Sequence, residues 1–155
     1  LKSQSGLAMV EFALSLTFFC IIVFGIVEFS RAMFGWNTAA EATRLATRLA
    51  AVCDMTDTQQ AIIRNRVKVF VQSSGQIAIP TGSDWLQFTY QGHCDPTDFS
   101  VSKDPCLVHT YLKNLSLNLA IPLFHLQIPL PSYHDREMRE AMRSMYYGEV
   151  NSICQ

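Results

Sequence analysis

Two carboxylates stand where charge is expensive. Glu11 and Glu28 lie near the two ends of GLAMVEFALSLTFFCIIVFGIVEF, residues 6–29. From residue 7 to residue 29, 18 of 23 positions are apolar; the exceptions are Glu11, Ser15, Thr17, Gly25 and Glu28. Glu28 has Arg31 three residues on, the spacing at which two helical side chains can pair. That pair reads as an ion pair at the interface where the helix leaves lipid, or as a carboxylate offered to a neighbouring subunit. Glu11 lies four residues into the apolar run. It reads as a charge that needs a partner from another chain, or one that snorkels to the headgroups.

Cysteines are the next residues able to do chemistry. Cys20 lies inside the apolar run, and Cys53, Cys94, Cys106 and Cys154 follow it. If that later part lies outside the cytoplasm, four cysteines form two disulfides, with three connectivities open. Cys94 and Cys106 bracket CDPTDFSVSKDPC, a loop of plausible size to close, which would leave Cys53 with Cys154. The alternative is four free thiols in a cytosolic domain.

Catalytic and metal chemistry find little support. His93, His109, His125 and His134 lack close metal-ligand spacing. Asp95, Asp98 and Asp104 in the cysteine loop match no EF-hand pattern. No GxSxG, Walker or HExxH motif occurs. The expectation is no enzyme, no cofactor and no metal. Net charge is −1 with no basic block, so nucleic acid is not an expected partner.

These residues need elements to place them. The apolar run is long enough to span a bilayer, which takes about 20 residues. It runs without a break into SRAMFGWNTAAEATRLATRLAAV, unlike a secretory signal with its short apolar region and cleavage site. No proline occurs between residues 7 and 54, which predicts one helix over 7–53. Asn37, Glu41, Arg44 and Arg48 make a polar stripe on its second half, with Ala39, Ala42, Ala46, Leu49 and Cys53 as the apolar face beside it. Gly25 and Gly35 are its expected weak points. Thr56 and Gln59 form a capping box for a second helix over 57–72, with Ile62, Ile63, Val67, Phe70 and Val71 on one face and Gly75 ending it.

After Gly75 the period changes to that of strands: QIAI, WLQFTYQ and, as a single strand, LVHTYLKNLSLNLAI. Pro122, Pro129 and Pro131 confine any following strand to an edge. The tail SYHDREMREAMRSMYYGEV fits an amphipathic edge strand or a helix, and the spacing of Met138, Met142 and Met145 favours helix. Fold class is α+β: a long N-terminal transmembrane helix packed on a second helix and a small antiparallel sheet, because the sheet alone is too small to cover both its faces. Lys2 and Arg31 flank the span and give almost no vote on orientation.

Gly6, four apolar residues, then Glu11 and a long apolar helix resemble the leader junction of type IV pilins, where a prepilin peptidase cuts after the glycine. The VEFAL opening (10–14), the apolar run (15–24) and the GIVEFSRA exit (25–32) resemble the N terminus of TadE/TadG-like minor pilins of the tight-adherence (Tad) pilus. The resemblance is specific over residues 6–51 and general beyond, with a methionine–arginine tail at Met142 and Arg143. One departure is Leu16-Thr17, where such runs often carry a proline.

The resemblance implies a type IV pilin-like fold and a processing junction at Gly6 and Leu7. It implies an assembly site at Glu11 and Phe12, with Glu28 and Arg31 at the exit. Segments 1–6, 7–30 and 31–155 would be a leader-like piece, the transmembrane and assembly half, and an extracytoplasmic head. The implied protein is a structural subunit of a Tad-type pilus or secretion system, held in the bacterial inner membrane with a periplasmic head. Its partners would be other pilin-like subunits, the prepilin peptidase and the inner-membrane assembly platform. The rival reading is a single-pass membrane protein whose head binds a ligand or a surface.

Overall fold

The structure is a computed structural model that describes residues 4–54, 56–82, 84–92, 94, 106–121, 124–139, 145–146 and 149–154. Asp95, Asp98, Asp104, His93, Met142 and Arg143, all weighed above, lie outside the described residues.

Helix α1 (Gln4–Val52) is continuous over 49 residues, about 73 Å at 1.5 Å per residue. It passes through Gly25 and Gly35 without interruption. Gly25 lies in open space, whereas Gly35 is a point of close approach: a Cβ added there would sit 2.5 Å from Leu117 Cδ2. Glycine at 35 is therefore a packing requirement rather than a bend.

The two halves of α1 live in different surroundings. Residues 6–27 are exposed except for the half-buried Cys20. In the second half the anticipated face is buried at Ala39, Ala42, Ala46, Leu49 and, just past the helix end, Cys53. The polar stripe of Asn37, Glu41, Arg44 and Arg48 faces outward. Three threonines join the buried side, because Thr38, Thr43 and Thr47 each donate their hydroxyl to the carbonyl four residues back at 2.9 Å. A hydroxyl satisfied in this way can enter a core without an unpaired donor.

Helix α2 (Asp57–Ser73) starts on Thr56, whose side chain accepts from the Gln59 backbone N–H. It ends at Gly75, which takes a positive φ of 68°. Ile63, Val67 and Val71 are its buried face. Phe70, expected on that face, is instead 39% exposed.

Six strands form two three-stranded antiparallel sheets. One has the order β1 (Ile77–Ala78), β4 (Ser116–Ile121), β5 (Phe124–Pro129). The other has β2 (Leu86–Gln91), β3 (Leu107–Leu112), β6 (Tyr133–Met138). A short ladder pairs β7 (Met145–Tyr146) with β8 (Glu149–Val150). Two expectations change here. LVHTYLKNLSLNLAI is two strands in two sheets, because Asn114 takes a left-handed φ of 60° between them. Residues 133–138 are strand, not helix: β3 supplies a full set of pairing partners from Leu112↔Tyr133 to Leu107↔Met138.

The second half of α1 packs on α2, β3, β4 and β6. Val108, Leu112, Leu115, Leu117 and Leu86 fill the space between, with Trp85 beside them. Cys53, just past the end of α1, is bonded to Cys154 in a single 3-10 turn (Ser152–Cys154), with both cysteines buried. Cys94 and Cys106 form the second disulfide.

Candidate assembly site on the N-terminal helix

Glu11 sits on the exposed half of α1, one turn after Leu7 and beside Phe12, which is 66% exposed. It makes no hydrogen bond or ion pair among the described residues. Two hydroxyls of this stretch behave differently. Thr17 Oγ1 donates to the Ala13 carbonyl at 2.8 Å, and Ser30 Oγ donates to the Ile26 carbonyl at 2.9 Å. Those hydroxyls are compatible with an apolar surrounding, where every polar group must be satisfied internally. The Glu11 carboxylate has no such provision.

Glu28 is in the opposite situation. It is only 8% exposed, and Arg31 Nη1 donates to its Oε1 at 2.7 Å. Arg31 is held in turn by Gln76, the buried residue that leads into β1. With its amide oriented to satisfy both ends, Gln76 donates to the Arg31 carbonyl and accepts from Arg31 Nε, each at 2.6 Å. Gln76 itself is held by strand pairing, its carbonyl accepting from the Asn118 N–H at 2.9 Å. One chain of contacts thus runs Glu28–Arg31–Gln76–Asn118, and with Gly35 against Leu117 it fixes the helix exit onto the β1–β4–β5 sheet. Sequence reasoning missed Gln76, since a glutamine after a helix-ending glycine carries no distinguishing pattern.

Gly6 and Leu7 lie in the first turns of α1, both exposed. Of the histidines, His109 and His134 flank Tyr111 on one sheet face, with ring centroids at 6.5 and 6.4 Å. No group of three or more candidate metal ligands occurs among the described residues. A shallow groove of about 520 Å³ lies between α2 and the β1–β2 connection, lined by Arg64, Lys68, Ile79, Pro80 and Trp85 among others. Arg64 is already committed there, donating to the Leu86 carbonyl and to Gln60 and lying over the Phe88 ring.

Burial raises the Tyr90 hydroxyl above its ordinary pKa, and the nearby Arg139 and Arg64 pull it partly back. Burial likewise raises Tyr133.

Comparison with known proteins bears on this same helix: residues 6–48 match the family of TadE-like proteins. The match covers Glu11, Glu28, Arg31 and Gly35, and ends within the buried half of α1. It takes in less than a third of the chain, so α2 and the sheets lie outside the TadE-like match. Neither a curated protein nor a solved structure matches the chain.

Proposed function

We propose that the protein is a pilin-like structural subunit of a Tad-type pilus or secretion system, a priming or minor pilin or a filament subunit, that assembles through the first half of α1. The observation that carries this reading is a TadE-like helix whose most apolar stretch is wholly unburied and holds one unpartnered carboxylate, Glu11. Burying a single large apolar side chain is worth about 1.5–3 kcal/mol. The exposed leucines, isoleucines, valines and phenylalanines of residues 7–29 together represent on the order of tens of kcal/mol. A bilayer supplies that burial before assembly, and neighbouring helices supply it afterwards.

Within this reading residues 7–30 span the inner membrane and residues 31–155 stand in the periplasm, where two disulfides persist. Residues 1–6 act as the leader, and the prepilin peptidase cuts between Gly6 and Leu7, glycine being the residue there that most readily leaves the helix. The assembly platform receives the product. A carboxylate in the bilayer costs a few kcal/mol. Docking against a cationic group of another subunit, such as a free N-terminal amine, removes that cost and gives register to otherwise featureless helices. Phe12 packs beside it. Glu28 and Arg31, already paired within the chain, mark the interface. The role is structural, without turnover.

Glu11→Gln tests the reading. The expected outcome is a stable, membrane-held protein that no longer co-purifies with pilin-like partners or enters filaments. Wild-type assembly in that variant would refute the role given to Glu11.

A further inference from the structure

Strand β6 sorts its charges by face. Side chains alternate along it, and its two acids lie on the side of α1. Glu137 is 3.8 Å from Arg48, and Asp135 shares the face of Tyr133, which meets Trp36 edge-on. His134 and Arg136 turn the other way and are exposed.

The register extends this outer face across the sheet, because residues paired in an antiparallel ladder share a face. His134 stands opposite Tyr111 and Arg136 opposite His109 on β3; these stand opposite Gln87 and Thr89 on β2. The alternate positions Leu86, Val108 and Leu112 are buried in the core. Every outer position is exposed or half-buried. The rings of His109 and Tyr111 lie 6.5 Å apart at 13°, and those of Tyr111 and His134 6.4 Å apart at 30°. Lys113 joins this row: its Nζ is 5.3 Å from the Tyr111 ring centre and donates to Gln87 Oε1 at 3.2 Å. Arg136 makes no ion pair among the described residues. None of the described acids stands on this face. Two fixed cations, three rings and neutral hydrogen-bonding side chains are thus complementary to an anion that also carries hydroxyls.

Size narrows the occupant. The outer strands stand about 10 Å apart, and residues 107–113 run about 20 Å. That is well below the roughly 800 Å² that a folded partner covers. Met138 is the one strongly exposed large apolar side chain on the face among the described residues, so the apolar centre of a protein interface is missing. A nucleic acid strand draws its affinity from many neutralised phosphates, and two fixed cations supply few. A polysaccharide bearing carboxylates fits the inventory. Its acids meet Lys113 and Arg136, its hydroxyls bond to Gln87 and Thr89, and a sugar ring lies against Tyr111.

We propose that the outer face of the β2–β3–β6 sheet binds an acidic polysaccharide, held by Lys113 and Arg136 at its carboxylates and by Tyr111 at a sugar ring. This binding function is additional to the structural role. It uses none of the residues assigned to assembly, so failure of either leaves the other standing.

The test is isothermal titration calorimetry of the full chain in detergent with polygalacturonate, after intact mass has verified both disulfides. Fully methyl-esterified polygalacturonate is the neutral counterpart, and poly-dT and polyglutamate are the competing polyanions. The expected result is saturable binding of polygalacturonate and none of the ester. Lys113→Gln combined with Arg136→Gln should weaken binding about tenfold, and Tyr111→Thr several-fold. Lys68→Gln, which removes a cation from α2 instead, should leave binding unchanged. Circular dichroism checks that each variant folds. No saturable binding by the wild type, equal binding of the ester, or wild-type affinity in the face variants would overturn the proposal. So would an equal loss in Lys68→Gln, which would reduce the effect to overall charge. Tighter binding of poly-dT or polyglutamate through the same residues would assign the face to nucleic acid or to acidic peptide and refute the polysaccharide.

Discussion

Gly35→Ala is the most economical probe of how the exposed apolar half of α1 is joined to the rest of the fold. Taken as a helix residue alone, alanine at 35 should stabilise the protein by about 1 kcal/mol, the usual margin of alanine over glycine. The structure opposes this. The new Cβ would lie 2.5 Å from Leu117 Cδ2, and Leu117 is 3% exposed, so its side chain has little space to withdraw into. Overpacking of this kind costs about 1–3 kcal/mol, leaving a net loss of up to about 2 kcal/mol. Leu117→Ala alone should cost about 2–5 kcal/mol as a large-to-small core substitution. In that background the obstruction is gone, and Gly35→Ala should become stabilising by about 1 kcal/mol. Urea unfolding of the oxidised full chain in detergent, followed by the fluorescence of Trp36 and Trp85, measures all four corners of the cycle. The coupling expected is about 1–3 kcal/mol, with a change of sign between backgrounds. Equal stabilisation by Gly35→Ala in both backgrounds would refute the close approach of β4 to α1.

The remaining predictions concern the head. Removing the Cys53–Cys154 bridge by double serine substitution should cost more than removing Cys94–Cys106, about 4.7 against about 3 kcal/mol on loop-closure entropy for separations of 101 and 12 residues. Urea midpoints in the reverse order would contradict the pairing. Burial holds Tyr90 protonated to higher pH in the folded chain than in the unfolded one. Its contribution is therefore complete below about pH 10 and is lost as pH rises through the raised folded value. Tyr90→Phe in the Cys20→Ser chain should flatten the alkaline fall in melting temperature, and an unchanged slope would argue against burial as the cause.

The helices were legible because their signals are local and periodic. The polar stripe 37, 41, 44, 48 faces outward, and the alanines beside it are buried. Thr43 and Thr47 were not legible as core, since the carbonyls that accept their hydroxyls come from the helix itself and leave no trace in residue type. The break between β3 and β4 did leave one. Inward positions are even at Val108, Thr110 and Leu112, then odd at Leu115, Leu117 and Leu119. A strand cannot change face without a break, and Asn114 is the residue in between best suited to a positive φ. In the tail, methionine spacing pointed to helix while YHDREM alternated. The outcome was decided by a demand invisible in that segment: β3 needed a second neighbour, and a charged strand suits a sheet edge.

Of the candidate assembly site, both carboxylates were visible in the sequence but not how differently the fold holds them. Glu11 and Glu28 are the same residue type in the same apolar run. Glu28 is completed within the chain by Arg31, and Arg31 by Gln76, so its charge is spent on fixing the helix to the sheet. Glu28 is buried although Arg31 is half exposed, so removing the arginine would leave a buried carboxylate unpaired and penalise the fold itself. Glu11 has no partner among the described residues, so folding gains nothing from it. If the proposed span lies in lipid, a charge that contributes nothing to its own fold is costly there and gains its partner in a complex. The two carboxylates therefore separate by experiment as well as by position: loss of Glu28 should register in stability before assembly, and loss of Glu11 in assembly with stability unchanged.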